Sequence, residues 1–150
     1  MNRRFGKSVI HVETPYLFGN RLLNHVKSRR GCKCYCLSPV NYDYVMAEFG
    51  ISMSRQKYKL FLIKYYKELG RFSDLQLHVH LSQYPDQLSE AEKKKRILDS
   101  YNFFVKDLGI QPKEILFGWY TSDRFSEEIS RSLGLKIRGR HLHLYDRWIK

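Results

Sequence analysis

Three couples of side chains able to bind a proton or a metal ion stand two residues apart in this sequence: His11 with Glu13, His78 with His80, and His141 with His143. In an extended strand that spacing puts both members of a couple on one face. Imidazole is the commonest protein metal ligand, and a mixed histidine and carboxylate set suits zinc or another divalent first-row ion. An ion held this way polarises a carbonyl and activates water, while a nearby carboxylate or histidine moves the proton. On this chemistry His11, His78 and His80 are candidate metal ligands, Glu13 a ligand or base, and His143 and Asp146 assisting catalytic groups. A single strand histidine is ordinarily a hydrogen-bonded structural residue; the coincidence of three couples in 150 residues is what makes a site of them.

These residues can meet only if the surrounding elements bring strand ends together. Ser8 to Glu13 is a short strand ended by Thr14-Pro15, and Asn20 can cap a helix that runs to about Arg30 and closes at Gly31. Cys32 to Leu37 reads as a second strand. Tyr42 to Phe49 and Tyr58 to Leu69 read as helices, the second with Lys59, Lys64 and Lys67 on its solvated side. Leu75 to Leu81 is the third strand. Ser89 with Glu92 three residues on is a capping signature for a helix that ends at Gly109. Ile115 to Tyr120 is a fourth strand, Ser126 caps a short helix, and Lys136 to Tyr145 supplies the last strand. Alternating strands and helices predict an α/β fold with a mainly parallel sheet and right-handed crossovers, open or curled into a short or incomplete (β/α) barrel. In such folds sites lie at the carboxyl ends of the strands, where His11-Glu13 and His78-His80 fall.

A chain of this length is a single domain with enough buried surface for its own core. No apolar run approaches the roughly 18 residues that cross a bilayer, and the basic N-terminus lacks a cleavable leader pattern, so a cytoplasmic chain is expected. Lys and Arg outnumber Asp and Glu by 27 to 15. The resulting charge of +12 attracts anions, nucleic acid among them, although Lys93-Lys94-Lys95-Arg96 reads as a solvated helix face. Cys32, Cys34 and Cys36 support no disulfide framework; alternate positions about 7 Å apart are too far to close around one zinc on an undistorted strand, and they read as small buried residues, with metal binding the lesser alternative. Trp119 and Tyr120, at a strand end, are placed to stack on a sugar ring or base.

The stretch Leu77-His78-Val79-His80-Leu81-Ser82 resembles the second motif of the polysaccharide deacetylase superfamily, the NodB-homology (β/α) barrel. Leu108 to Lys113, Ile115 to Tyr120 and Leu133-Gly134-Leu135 resemble the helix, third-motif strand and next helix of that fold. Val9 to Thr14 occupies the place of the first motif, normally an Asp-Asp pair. The resemblance implies a divalent metal, with His78 as ligand, Ser82 at the second ligand's position and Glu13 replacing one acid of the pair. His143, Tyr145 and Asp146 then stand for the late histidine motif. Thr14, or His11 in another register, stands where an aspartate is expected, and Leu116 where the third motif has arginine.

Three functions compete at this point. The first is a metal-dependent hydrolase that deacylates an acylated amine or carbohydrate, with Trp119, Tyr120 and Ser82 toward the substrate. The second is a single-strand DNA endonuclease or transposase built on the His78-Val79-His80 triplet, with Tyr101 as nucleophile; an antiparallel sheet with the triplet on a central strand would support it, and a parallel sheet with helices on both sides would exclude it. The third is a non-catalytic binding domain with a degenerate site. An incomplete barrel exposes sheet edges, so pairing with a second copy is also expected.

Overall fold

The computed structural model describes residues 9–81, 88–118, 122–139 and 144–150. Its centre is a six-stranded sheet in the order β5-β4-β3-β2-β1-β6, every pairing parallel. The strands are β1 (Val9–Val12), β2 (Lys33–Leu37), β3 (Asp74–Val79), β4 (Glu114–Phe117), β5 (Lys136–Ile137) and β6 (Leu144–Tyr145). From β1 to β5 the chain adds each strand beside the previous one, and β6 returns to the far side of β1. That is the strand order of a (β/α) barrel left open between β5 and β6.

Among the described residues five α-helices make the crossovers: α1 (Pro15–Lys27), α2 (Tyr42–Phe49), α3 (Arg55–Leu69), α4 (Glu90–Asn102) and α5 (Arg124–Ser132). Because every step from β1 to β5 goes the same way, right-handed crossovers place all five on one face of the sheet. The strands alternate accordingly. Ile10, Val12, Cys34, Cys36, Leu75, Leu77, Val79, Ile115 and Phe117 belong to the apolar core shared with Leu22, Val26, Tyr58, Leu62, Ile97 and Phe104 of the helical layer. Each fully buried Val, Leu, Ile or Phe side chain among them contributes about 1.5–3 kcal/mol. The intervening positions, His11, Tyr35, Gln76, His78, Glu114 and Leu116, face the concave interior, which is therefore largely polar. At its lower end Lys33 is bonded to Glu114, and Gln76 Oε1 accepts the Lys113 and Glu114 amides, each at 2.8 Å. The three cysteines are buried free thiols, as their spacing implies.

Several boundaries differ from the sequence reading. Pro15 opens α1 at its first helical position, where a missing N–H costs nothing; Asn20 lies inside the helix, beyond a bend at Phe18. Asp123 caps α5, its Oδ1 accepting the Ser126 amide at 2.8 Å, so Ser126 is a first-turn residue and not the cap. The continuous strand expected over Lys136 to Tyr145 is instead two short strands on opposite edges of the sheet. The basic run of α4 is only partly solvated: Lys94 and Lys95 are exposed, but Lys93 is buried against Asp123, and Arg96 donates to the Leu81 carbonyl at 2.7 Å. Lys59, Lys64 and Lys67 are exposed as expected. No helix among the described residues is long and apolar enough to cross a membrane.

Candidate metal centre

In a barrel the side chains of one interior layer come from alternate strands. Glu13, at the end of β1, and His78 and His80, at the end of β3, are therefore brought together over β2. The two Nε2 atoms converge on a single carboxylate oxygen, with Glu13 Oε2 3.2 Å from His78 and 2.7 Å from His80. All three residues are buried, and one ligand atom from each lies within 4.8 Å of the others.

The tautomer of His78 follows from its second contact. Its Nδ1 is 2.9 Å from the Leu116 carbonyl, which can only accept, so Nδ1 carries the proton. With Nδ1–H given to Leu116, the singly protonated ring turns its Nε2 lone pair toward Glu13, whereas the doubly protonated ring donates to it. Two acceptors at that separation require something positive between them, either a ring proton or a metal ion. Burial pushes the His80 imidazolium below the ordinary histidine range against the pull of Glu13, and a neutral imidazole is the form that binds a metal. Burial alone would raise the Glu13 carboxyl, but its contacts with His78 and His80 outweigh it and hold Glu13 well below the usual carboxylate range. Two imidazole nitrogens and one ionised oxygen make a donor set that fits a divalent first-row ion.

His80 is gripped from several sides. Asn41, buried in a 3-10 turn after β2, donates Nδ2–H to the His80 carbonyl at 2.7 Å and accepts the His80 amide on Oδ1 at 3.2 Å. Its amide acts as a one-residue strand partner where β2 has turned away. The Tyr44 ring of α2 stacks on the imidazole at 4.1 Å and 20°. On the opposite side Gly118 leaves the room the ring takes, since a Cβ there would lie 2.3 Å from His80 Nδ1.

The last described residues form the wall next to β1. Tyr145 meets the His11 ring edge-on at 4.6 Å, Asp146 Oδ2 accepts the Thr14 amide at 2.7 Å, and Arg147 Nη1 donates to Glu13 Oε1 at 2.8 Å. Consecutive residues of one segment thus hold His11, Thr14 and Glu13. Asp146 is fully buried, and burial pushes its carboxyl up to about 6 although amide hydrogen bonds from Thr14 and Glu13 oppose the shift. Its oxygens serve backbone amides and not the cavity. A space of about 210 Å³ opens above the three donors, lined also by His11, Tyr44, Glu48, Tyr145, Arg147 and Trp148.

Of the residues singled out from sequence, Glu13, His78 and His80 form the donor cluster. His11 stands beside it, its ring 5.0 Å from that of His78. Asp146 lies behind the wall. Ser82, Trp119, Tyr120, His141 and His143 fall outside the described residues. Asn41, Tyr44 and Arg147 were missed; the Tyr145-Asp146-Arg147-Trp148 run, charged and aromatic after a strand, was the available signal. The sheet does not favour the endonuclease reading. His78 and His80 project from β3 of a parallel sheet, and α4 runs back from that rim, carrying Tyr101 near its far end away from them. The Tyr101 hydroxyl instead accepts from Gln111 at 2.7 Å.

No protein-family profile and no curated protein matches the sequence. Solved structures do match, and they share one fold, that of the family 4 (CE4) polysaccharide deacetylases. A peptidoglycan N-acetylglucosamine deacetylase superposes with a TM-score of 0.65 at 11% identity, over 90% of this chain and 56% of that one. A CE4 family pseudoenzyme from Bacillus anthracis gives 0.62 at 10% identity, over 87% and 41%. A family 4 carbohydrate esterase from Streptomyces lividans, in complex with acetate, gives 0.60 at 12% identity, over 87% and 60%. The chain has a divergent deacetylase-like fold and spans 41% to 60% of the length of these three structures.

Proposed function

We propose that this chain is a metal-dependent hydrolase of the deacetylase type, acting on an acylated amine carried by a carbohydrate. The observation that carries the reading is the convergence of His78 Nε2 and His80 Nε2 on Glu13 Oε2. Glu13, His78 and His80 hold the ion, zinc or another divalent first-row metal, which when bound polarises the acyl carbonyl and lowers the pKa of water. His11 faces the same cavity outside the donor set and is the group we assign to move the proton. Tyr44, Tyr145 and Trp148 offer aromatic faces on which a sugar ring can stack. The substrate class is supported by the peptidoglycan N-acetylglucosamine deacetylase of the same fold.

Protein purified without chelators or a histidine tag should contain one divalent ion per chain by elemental analysis, and His78→Ala should contain none. It should also release acetate from an N-acetylated glucosamine oligomer. Unchanged metal content in the alanine variant ends the reading. A stoichiometric ion with no acetate release supports a degenerate binding domain instead, a reading favoured by Leu116 in the third-motif strand and by the pseudoenzyme among the similar structures.

A further inference from the structure

Arg147 is a permanent cation touching the anionic member of the donor set. Its Nη1 takes Glu13 Oε1 at 2.8 Å, while Oε2, the other oxygen of the same carboxylate, faces His78 and His80. The guanidinium carbon lies 4.2 Å from the Tyr145 ring centre and 5.5 Å from those of Phe49 and Trp148. Immediately before it, Asp146 is tied to Thr14. The group is therefore placed by three aromatic rings and an anchored backbone, and a guanidinium does not give up its proton in a protein.

From this geometry we infer that Arg147 tunes the metal centre: it occupies one Glu13 oxygen, so that an ion receives a single oxygen from that carboxylate, and its charge lowers the affinity of the site for a divalent cation. The inference rests on the reading of Glu13, His78 and His80 as a metal site. Glu13 and Arg147 form a neutral pair, so an entering dication meets two imidazole rings and a carboxylate already satisfied on its far side. Attraction that the carboxylate alone would supply is offset by repulsion from the guanidinium, in a partly buried setting where salt screens less than at an open surface. Placing Glu13 is the competing role for Arg147, and the two roles predict opposite signs. Removing a clamp loosens Glu13 and weakens metal binding, whereas removing a counter-charge strengthens it.

Titrating Co²⁺ into the metal-free protein, by calorimetry and by the visible absorption of the bound ion, reads that sign directly. Arg147→Met and Arg147→Gln, the second keeping a hydrogen-bond donor without the charge, should each bind Co²⁺ about tenfold more tightly than the parent, with a changed visible spectrum as the second carboxylate oxygen is released. Arg147→Lys should stay within about threefold of the parent. Circular dichroism melting selects the variants that fold, and either uncharged variant suffices. Equal or weaker Co²⁺ binding in the folded uncharged variants overturns the inference while leaving the metal site standing, provided that the parent binds and His78→Ala does not. No Co²⁺ binding by the parent overturns both.

Discussion

The carboxylate of Asp146 accepts the backbone N–H of Thr14 at 2.7 Å, joining positions 132 residues apart. The bond fixes the last described segment against the end of β1, one residue from Glu13, and it is made by a group with no exposed surface. A carboxylate buried there is costly to ionise.

That cost gives a prediction in pH. Burial raises the Asp146 carboxyl from its ordinary 3.8 to about 6. Between those values the folded protein binds more protons than the unfolded chain, so the contribution of Asp146 is fully present below about pH 4 and is lost as pH rises through about 6. Asp146→Asn cannot ionise and lacks that slope. Urea unfolding of both proteins in the presence of EDTA, from pH 4 to pH 7, should show the variant gaining on the parent as pH rises. Parallel stability curves would rule the burial argument out.

The Asn41 clamp makes a second, independent prediction. Both arms of its amide are spent on the backbone of His80, and both are buried. Asn41→Ala leaves an amide and a carbonyl without those partners, at about 1–3 kcal/mol each. It should lower stability by about 2–6 kcal/mol and weaken Co²⁺ binding about tenfold in the protein that remains folded. Asn41→Asp keeps the acceptor for the His80 amide but sets a carboxylate against the His80 carbonyl, and should be the worse of the two. Co²⁺ affinity equal to the parent in both variants, measured by calorimetry, would show that the clamp serves the fold and not the site.

What the sequence disclosed follows from where each signal resides. The spacing of two in His78-Val79-His80 and His11-Val12-Glu13, together with the Pro15 boundary, is local, and it puts the members of each couple on one face at the strand ends; that this is the interior face is seen only in the fold. The alternation of strands and helices led to the parallel sheet. Asn41, Tyr44 and Arg147 act through tertiary contacts, and nothing within a few residues of them marks what they touch. Asn41 works as a substitute strand partner only because β2 turns away at Pro39. Arg147 reaches Glu13 only because β6 pairs with β1 and not with β5, a choice that the unbroken reading of Lys136 to Tyr145 had hidden. The start of α1 was misplaced for a local reason. Proline was read as a stop, although it is equally at home in the first turn of a helix.

Gly118 yields the last prediction, because it separates ring placement from ligand chemistry. No metal-binding atom belongs to it, yet a Cβ built there meets three atoms of the His80 ring at 2.3 to 2.5 Å. Real contacts of that kind are not shorter than about 3 Å, so either the ring or the β4 backbone has to move. The ring is held on its other side by Tyr44 at 4.1 Å and its backbone by Asn41, and it therefore cannot retreat without losing both contacts. Gly118→Ala should cost about 1–3 kcal/mol as overpacking and should weaken Co²⁺ binding at least tenfold, although all three donors remain in the sequence. Replacing Tyr44 by alanine in the same background opens space for the ring and should recover part of the stability. A Gly118→Ala protein that binds Co²⁺ like the parent, with the same visible spectrum, would mean that His80 does not hold the ion from the position seen here.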